Sequence, residues 1–571
     1  MDRNLVFAIV LSIVIIVVFQ YFFQAFSPPP QKVPSTTEGP KETAPPRDAR
    51  PEEFKPPETD PRPAQPVAED PRAVKSAESA ETEVKDVRIT VDGLTYRAVI
   101  SSIGGRIVSF ELKDYREKLN GNTLVNLFPP DAPDTSGPSI IFTEREERFN
   151  DSAVRYHYDS SETSVKLREK GAKRTIMFRA PVKGGITIEK SYTFTADSYS
   201  IDFSFALTNT SNEPRNYLIT FPWKKYFDRN TGTSFAWDSA EILLNGELKD
   251  YYFDKIRGDE EPSGSVQWAG LGSVYFLKAL VFGKTPASKV TLFKPSQDGV
   301  AEIKVRYGGM DVPPGTRVAA DLSVYLGPKE RQALSAAGND LSRALFYSNY
   351  AVLDIMAEYL MKFLRFCNSG FTLAGLKIPG TNNYGLDIIL LTIVIKILFI
   401  PLTHKSMKSM KKMQDLQPEI AKLKDKYKDD KQAMNKAMMD LFKQYKVSPL
   451  SGCWPMFVQL PVFIALYQAL SYAIELRHAP FVCMPSIYLC INDLSAPDPY
   501  YVTPILMGGT MVLQQWMTPS AGDPMQKKMM LLMPVVFTYL FLSFPSGLVL
   551  YWLVSNVLGI GQQLLTNRMA R

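Results

Sequence analysis

Histidine and cysteine are nearly missing from this chain, with three His and four Cys among 571 residues. Four Cys in such a length exclude a disulfide-stapled scaffold. The His stand far apart, at His157, His404 and His478, which argues against acyl transfer by a nucleophile with a His partner. No H-E-x-x-H, G-x-S-x-G or G-x-x-x-x-G-K run occurs, which removes the commonest protease, hydrolase and ATPase signatures. No metal or cofactor is expected. A net charge of +6 is small for this length, so the total does not point to nucleic acid.

Long uncharged runs are what the chain has instead. Leu5 to Phe23 is nineteen residues without a charge, enough at about 1.5 Å per residue to cross a hydrocarbon core of about 30 Å. A cleaved signal peptide would have a shorter apolar region and a small-x-small exit. Residues 1–26 therefore read as an uncleaved anchor. Five more apolar blocks follow, at Tyr384–Thr403, Trp454–Ile474, Tyr500–Met517, Met529–Phe544 and Leu548–Leu565, giving six spans in all. Phe544-Pro545-Ser546-Gly547 reads as a tight turn between the last two. Pro455, Gln459, Pro461 and Gln515 inside spans require neighbouring helices or water to satisfy the freed polar groups, so a bundle is expected.

Orientation follows from Lys and Arg in the short loops. The loop 404–447 holds twelve Lys against six acids, whereas Arg477 to Pro499 holds one Arg and two Asp. The Lys-rich side is cytoplasmic by this rule, which puts both termini inside and residues 27–383 outside.

Residues 27–86 carry fourteen Pro and hardly an aromatic, so they cannot bury enough apolar surface to offset ordering entropy and read as a disordered linker. From residue 87 a period-two alternation sets in. The clearest case is Ile186 to Thr210, where two alternating runs flank Ala196-Asp197-Ser198. Repeated strands and turns predict an external β-sandwich domain over 87–340, its strands ending near 328. Trp223, Tyr226, Trp237, Tyr251, Tyr252 and Phe253 are core by default and a ligand cleft by alternative. Leu341 to Phe366 reads as an amphipathic helix lying in the membrane interface, within a connector over 341–383.

The most informative residue is Lys396, about eleven residues into an apolar span. A charge at a helix centre costs roughly 2.5–3.5 kcal/mol on insertion scales, so by default it faces a bundle interior or a wet cavity. Snorkelling to the cytoplasmic interface is the alternative, but Cα–Cβ bonds tilt toward the helix N-terminus, away from that interface. Thr392 lies one turn earlier on the same face. Gln515, Tyr551, Trp552, Ser555 and Asn556 in later spans complete a candidate polar groove inside the lipid.

The loop 404–447 has apolar residues at three- and four-residue steps, predicting a helical hairpin. Its methionines, among them Met410, Met413, Met434 and Met438, suit adaptable apolar contacts, though a plain structural hairpin fits the pattern equally. Its lysines also suit lipid head groups or RNA. Cys483 and Cys490 lie on the outer side, where a spacing of seven permits a disulfide without requiring one. Cys367 and Cys453 read as structural or incidental.

Several stretches carry a resemblance. They are Tyr384–Thr403 with its buried base, Lys446-Val-Ser-Pro-Leu-Ser-Gly-Cys-Trp-Pro455, Glu475-Leu-Arg-His-Ala-Pro-Phe481, Asp493-Leu-Ser-Ala-Pro-Asp-Pro-Tyr-Tyr501, Pro504-Ile-Leu-Met-Gly508 and Phe544-Pro-Ser-Gly-Leu-Val-Leu-Tyr-Trp552 with Ser555 and Asn556. Together they resemble the YidC family of membrane-protein insertases, in the Gram-negative form with a large periplasmic domain. The resemblance implies an α-helical polytopic protein of the inner membrane, with a five-span insertase core over 384–571 and an external all-β supersandwich like that of sugar mutarotases but without their activity. It implies insertion and folding of nascent membrane proteins through a groove closed to the outside, alone or with a Sec translocon and its accessory proteins. Ribosome or targeting factors would meet the cytoplasmic hairpin. Lys396 stands where the family has an arginine, which replaces a planar fork with a point charge. A small-solute transporter using Lys396 is the competing reading, but transporters usually show internal repeats or paired broken helices. A sugar-binding envelope sensor leaves the buried lysine unexplained.

Overall fold

The structure is a computed structural model that describes residues 86–569 except 131–134, 227–237, 284, 297–298, 348–349, 374–375, 428–429, 446, 448–453, 485–488 and 518–523. The expected anchor and Pro-rich linker lie outside the described residues. Alternation sets the first half. Ile186–Thr195 buries every second residue, and it pairs with Ser200–Asn209 in the predicted hairpin, Tyr192 opposite Phe203. That hairpin sits in a fourteen-stranded sheet, whose spine runs Lys173–Val182, Ile186–Thr195, Ser200–Asn209, Arg317–Pro328, Phe276–Val281. A five-stranded sheet built from Arg88–Asp92, Tyr96–Ser101, Arg106–Arg116, Leu124–Asn126 and Ser164–Lys166 faces it. Ile89, Tyr96 and Phe110 from the small sheet share one core with Phe178, Tyr192, Phe203 and Trp223 from the large one. This is the expected β-sandwich.

One inward position is not apolar. Lys190 is fully buried, with Nζ 2.5 Å from Asp151 Oδ2. It also donates to the Gly104 and Pro138 carbonyls at 2.8 and 3.2 Å. Tyr156 Oη donates to the same Asp151 oxygen at 2.8 Å, and the Ile140 amide to the other at 2.7 Å. Satisfied on all sides, the pair pins three loops to the sandwich.

The second half is helical. We number Arg331–Ala337 as α1, Ala351–Ser369 as α2, Tyr384–Asp415 as α3, Gln417–Lys426 as α4, Lys431–Gln444 as α5, Trp454–Tyr472 as α6, Val502–Met517 as α7, Pro524–Phe541 as α8 and Ser546–Met569 as α9. Two of these are long and apolar enough to cross a membrane, Tyr384–Asp415 and the Ser546–Thr566 part of α9; Val458–Tyr472 and Leu531–Phe541 are shorter apolar helices. On α3, Leu386, Leu390, Val394, Ile397 and Leu398 are exposed, and so are Trp516, Leu531 and Tyr539 elsewhere. So much apolar surface turned outward fits contact with lipid.

Two boundaries differ from the sequence reading. The expected helix from Leu341 to Phe366 is broken, with a 3₁₀ turn at Leu341–Ala344 and α2 starting only at Ala351. Between them Leu345 and Tyr347 are buried, and the Tyr347 amide donates to Asp354 Oδ1 at 2.8 Å. Burying those side chains in the cluster shared by the β-domain and the bundle outweighs helix continuity. In addition, α3 continues past Pro401 to Asp415, so the apolar run and the start of the hairpin's first arm are one helix, and the rest of that arm is α4.

A single cluster of buried side chains runs from the β-domain into the bundle. It joins Trp268, Leu277, Val281 and Tyr325 to Leu341 and Tyr347, then to Met361, Ile388, Leu470 and Leu548.

Candidate functional site

Lys396 lies half-buried on α3, and its Nζ reaches α9 at Gly559, 3.7 Å from where a Cβ there would sit. Gln514 of α7 comes to the same point, its Nε2 3.0 Å from that position. The lack of a bulky side chain at Gly559 leaves room for a lysine and a glutamine to converge on the helix backbone. Among the described residues no carboxylate pairs with this lysine.

Polar contacts continue along α9 in both directions. Gln459 of α6 donates to Tyr551 Oη at 3.3 Å and lies 3.5 Å from Ser555 Oγ. Asn556 donates to Thr510 Oγ1 of α7 at 3.2 Å. Toward the hairpin end, Gln562 donates to Thr403 Oγ1 of α3, and Gln563 to the Met517 carbonyl of α7, both at 2.7 Å. So α9 is a polar spine touched by three apolar helices. An arrangement of this kind can solvate a polar or acidic chain segment at membrane depth, with one fixed positive charge at Lys396.

Of the residues singled out from sequence, Lys396, Tyr551, Ser555 and Asn556 belong to this seam. Thr392 is fully buried and donates to its own helix, to the Ile388 carbonyl at 2.6 Å. Trp552 sits among aromatic rings instead, 4.9 Å from Phe463 and 5.3 Å from Phe541 between centroids. Gln515 is half-buried on α7, one residue past the Gln514 that reaches Gly559. Gln514, Thr510, Gly559, Gln562, Gln563 and Thr403 were missed. The four- and three-residue steps from Ser555 through Gly559 to Gln562 would have marked that face of α9.

The end of the bundle nearest the β-domain is closed by residues 479–484 and 489–498. Asn383, which caps α3 through the Leu386 amide, also donates to the Phe481 carbonyl at 3.0 Å. The Phe481 ring fills the space above Gly385, where a Cβ would fall 2.1 Å from it. On the other side, Ser546 Oγ donates to the Asp493 carbonyl at 2.8 Å and the Gly547 amide to that of Leu494 at 3.0 Å. These contacts tie the starts of α3 and α9 together over the seam. Within this segment Val482–Met484 and Leu489–Ile491 form a two-stranded ribbon.

At the same end, Arg365 of α2 donates from Nε to Glu475 Oε1 at 2.8 Å. Tyr275 Oη donates to the Ser471 carbonyl at 3.4 Å, and Arg477 to that of Glu117 at 2.9 Å. The β-domain is thus bonded to the end of α6 by polar as well as apolar contacts. A shallow pocket at this junction is lined by Glu241, Asp250, Lys329 and Tyr472. Burial, then the Glu241 carboxylate opposite, pushes the Asp250 carboxyl up to about 7, against the opposing pull of Lys329.

Inside the sandwich, Trp223 and Phe253 are buried core, Tyr226 is exposed, and Trp237 lies outside the described residues. His157 is exposed beside Asp159. No group of three metal-ligating side chains occurs among the described residues. In the hairpin, Met413 is buried with Leu416, Ile420 and Val447, and Met438 packs against them, while Met410 and Met434 are half-buried.

Residues 377–571 match the family described as 60Kd inner membrane protein, and residues 88–363 match that described as YidC periplasmic domain. A protein named Membrane protein insertase YidC from Syntrophus aciditrophicus (strain SB) is 37% identical over 575 residues, covering 100% of both chains. One of the same name from Geotalea daltonii is 37% identical over 570 residues, covering 100% of this chain and 99% of its own. A crystal structure of an active YidC insertase with its first transmembrane domain resolved aligns over 84% of this chain and 92% of its own, at 17% identity and a TM-score of 0.35.

Proposed function

This chain belongs to the YidC family of membrane protein insertases, and we propose that it inserts its clients along the polar seam between α3, α7 and α9, with Lys396 as the charge that receives them. It is an inner-membrane insertase rather than an enzyme, and full-length kinship at 37% identity supports insertase over solute transporter. The convergence of Lys396 and Gln514 on Gly559 carries the reading.

The physical account needs no ATP. Carrying a charged flank through hydrocarbon costs a few kcal/mol per residue. A wet, polar seam shortens the dry path and lowers that barrier. Burial of the client's apolar segment in lipid, at about 25 cal/mol per Å², then makes release downhill. A membrane potential adds about 2.3 kcal/mol per charge per 100 mV, which draws acidic tails outward.

The topology that suits this route has six spans, with residues 1–26 as the first. The Lys-rich hairpin and both termini are cytoplasmic, and the β-domain is periplasmic. It rests on the Lys and Arg count of the loops. Nascent membrane proteins are the substrates. A Sec translocon is a partner beside the bundle, and ribosomes or targeting factors meet the cationic hairpin.

The test is insertion into liposomes of a small spanning protein with an acidic external tail, by the intact chain and by Lys396→Ala, Lys396→Arg and Lys396→Glu. Protease-protected product should persist with Arg and fall with Ala and further with Glu. Equal yields from all four would remove Lys396 from the route.

A further inference from the structure

We propose that Cys483 and Cys490 are joined by a disulfide that staples the ribbon closing the outer end of the bundle. The spacing of the two residues left the bond open; the strand register is what supports it. Val482–Met484 and Leu489–Ile491 are antiparallel, and Cys483 stands directly opposite Cys490, between the pairs Val482 with Ile491 and Met484 with Leu489. Directly opposed residues in antiparallel strands have Cα atoms about 4.5–5.5 Å apart. A disulfide spans Cα separations of about 4.4–6.8 Å. A shift of either strand by one residue would have put the two on opposite faces.

The bond has something to hold. Below it, the ribbon is fastened at its base by the Asn383 side chain to the Phe481 carbonyl and by the Phe481 amide to the Ile491 carbonyl at 2.9 Å. Ile491 and Leu494 are buried against the bundle. A two-stranded ribbon is marginal by itself, and this one covers the end of a polar seam that must not leak. Linking its strands keeps the cover from peeling apart while a client occupies the seam.

Formation is ordinary thiol exchange. One thiolate attacks the disulfide of a periplasmic dithiol–disulfide oxidant and displaces one of its sulfurs. The second thiolate then attacks the mixed disulfide, releasing the oxidant as a dithiol, with two protons lost from the pair and two electrons passed on.

The proposal rests on the periplasmic placement proposed above, and one experiment separates the two. Cells are acid-quenched, the full-length protein is alkylated without reductant, and the peptide spanning 483–490 is analysed by mass. We expect a peptide two hydrogens lighter than the dithiol and unlabelled until reduced, with Cys483→Ala making Cys490 alkylatable at once. After gentle reduction, a membrane-impermeant maleimide should label both thiols in intact spheroplasts. Both thiols free, yet labelled from outside, would overturn the disulfide and leave the topology standing. Both free and shielded from the outside reagent would overturn the topology and the disulfide together. A bond from either residue to Cys367 would also refute the pairing.

Discussion

Arg365 and Glu475 meet at 2.8 Å where the amphipathic α2 crosses the end of α6, and both side chains are largely shielded from solvent. Tyr347 Oη lies 3.3 Å from the same guanidinium. The bridge therefore links three places at once: the connector that leaves the β-domain, the amphipathic α2 and the turn at Ile474–Leu476 that follows α6. Arg365→Ala leaves the Glu475 carboxylate without this partner and should cost about 2 kcal/mol, on the scale of hydrogen bonds to charged groups. Thermal unfolding of the full chain in detergent reads this directly. Arg365→Ala combined with Glu475→Gln should cost less than Arg365→Ala alone; an equal or larger loss would mean that the bridge is not what the arginine supplies.

Gly559 is a second point of leverage. In Gly559→Ala the methyl meets only the mobile ends of Gln514 and Lys396, at 3.0 and 3.7 Å. The helix gains about 1 kcal/mol of propensity. Expression and insertion should be close to wild type. Gly559→Leu fills the space where the two polar side chains converge, and insertion of an acidic-tailed client should fall roughly tenfold, equivalent to about 1.4 kcal/mol on the rate. Normal insertion by the Leu variant would show that clients do not pass this point.

The buried pair of Lys190 and Asp151 makes a prediction for the β-domain alone of the two halves. Lys190→Met strands a carboxylate in the sandwich and should cost about 3–5 kcal/mol. Lys190→Met with Asp151→Asn removes both charges and should recover part of that loss. Denaturant titrations of the full chain, followed by tryptophan fluorescence from Trp223 and Trp268, distinguish these outcomes. The helical core should keep its resistance to protease in each variant.

Lys278 supplies the pH dependence. It is buried, donates to the Lys224 carbonyl at 3.0 Å and lies over the Phe128 ring at 4.6 Å. Burial, then the nearby Lys225 charge, pushes its ammonium down to about 7, against Asp238. Between that value and the ordinary lysine range the unfolded chain holds a proton that the folded chain has released. Stability should therefore rise with pH there, by about 1.4 kcal/mol per unit at most, and fall as the pH drops toward 7. In Lys278→Met this slope should vanish between roughly pH 7 and 10, the window set by the two pKa values. A wild type whose unfolding midpoint is flat across that window would contradict it.

Much of this was readable in local pattern. Ile186 to Thr210 alternates on both sides of its turn, and the structure pairs it as a hairpin; the long apolar blocks become α3, α6, α7, α8 and α9. The break between α8 and α9 falls at residues 542–545, so Pro545 directly precedes α9 whereas Ser546 and Gly547 of the expected turn are its first two residues. The helix expected from Leu341 was where pattern failed. Its apolar residues were real, but Leu345, Tyr347, Met361 and Leu364 all enter the one cluster that joins β-domain to bundle, and the backbone bends to bring them there. Periodicity cannot tell which neighbour a buried face will meet.

By itself the sequence determined that long apolar helices and an alternating β-domain must form, and that one of those apolar runs carries a lysine, Lys396, well inside it. These follow from periods of two and 3.6 and from the cost of a charge in hydrocarbon, all local to a segment. Only the tertiary structure decided that Gln514 comes to Gly559 beside Lys396, because adjacent helical residues point about 100° apart and the choice depends on how α7 is rotated against α9. It likewise decided that Cys483 stands opposite Cys490 in the ribbon's register, since register belongs to two strands and to neither alone. The docking of Leu277 and Val281 onto the helices has the same origin: an alternating strand has two faces, and only packing says what each one covers.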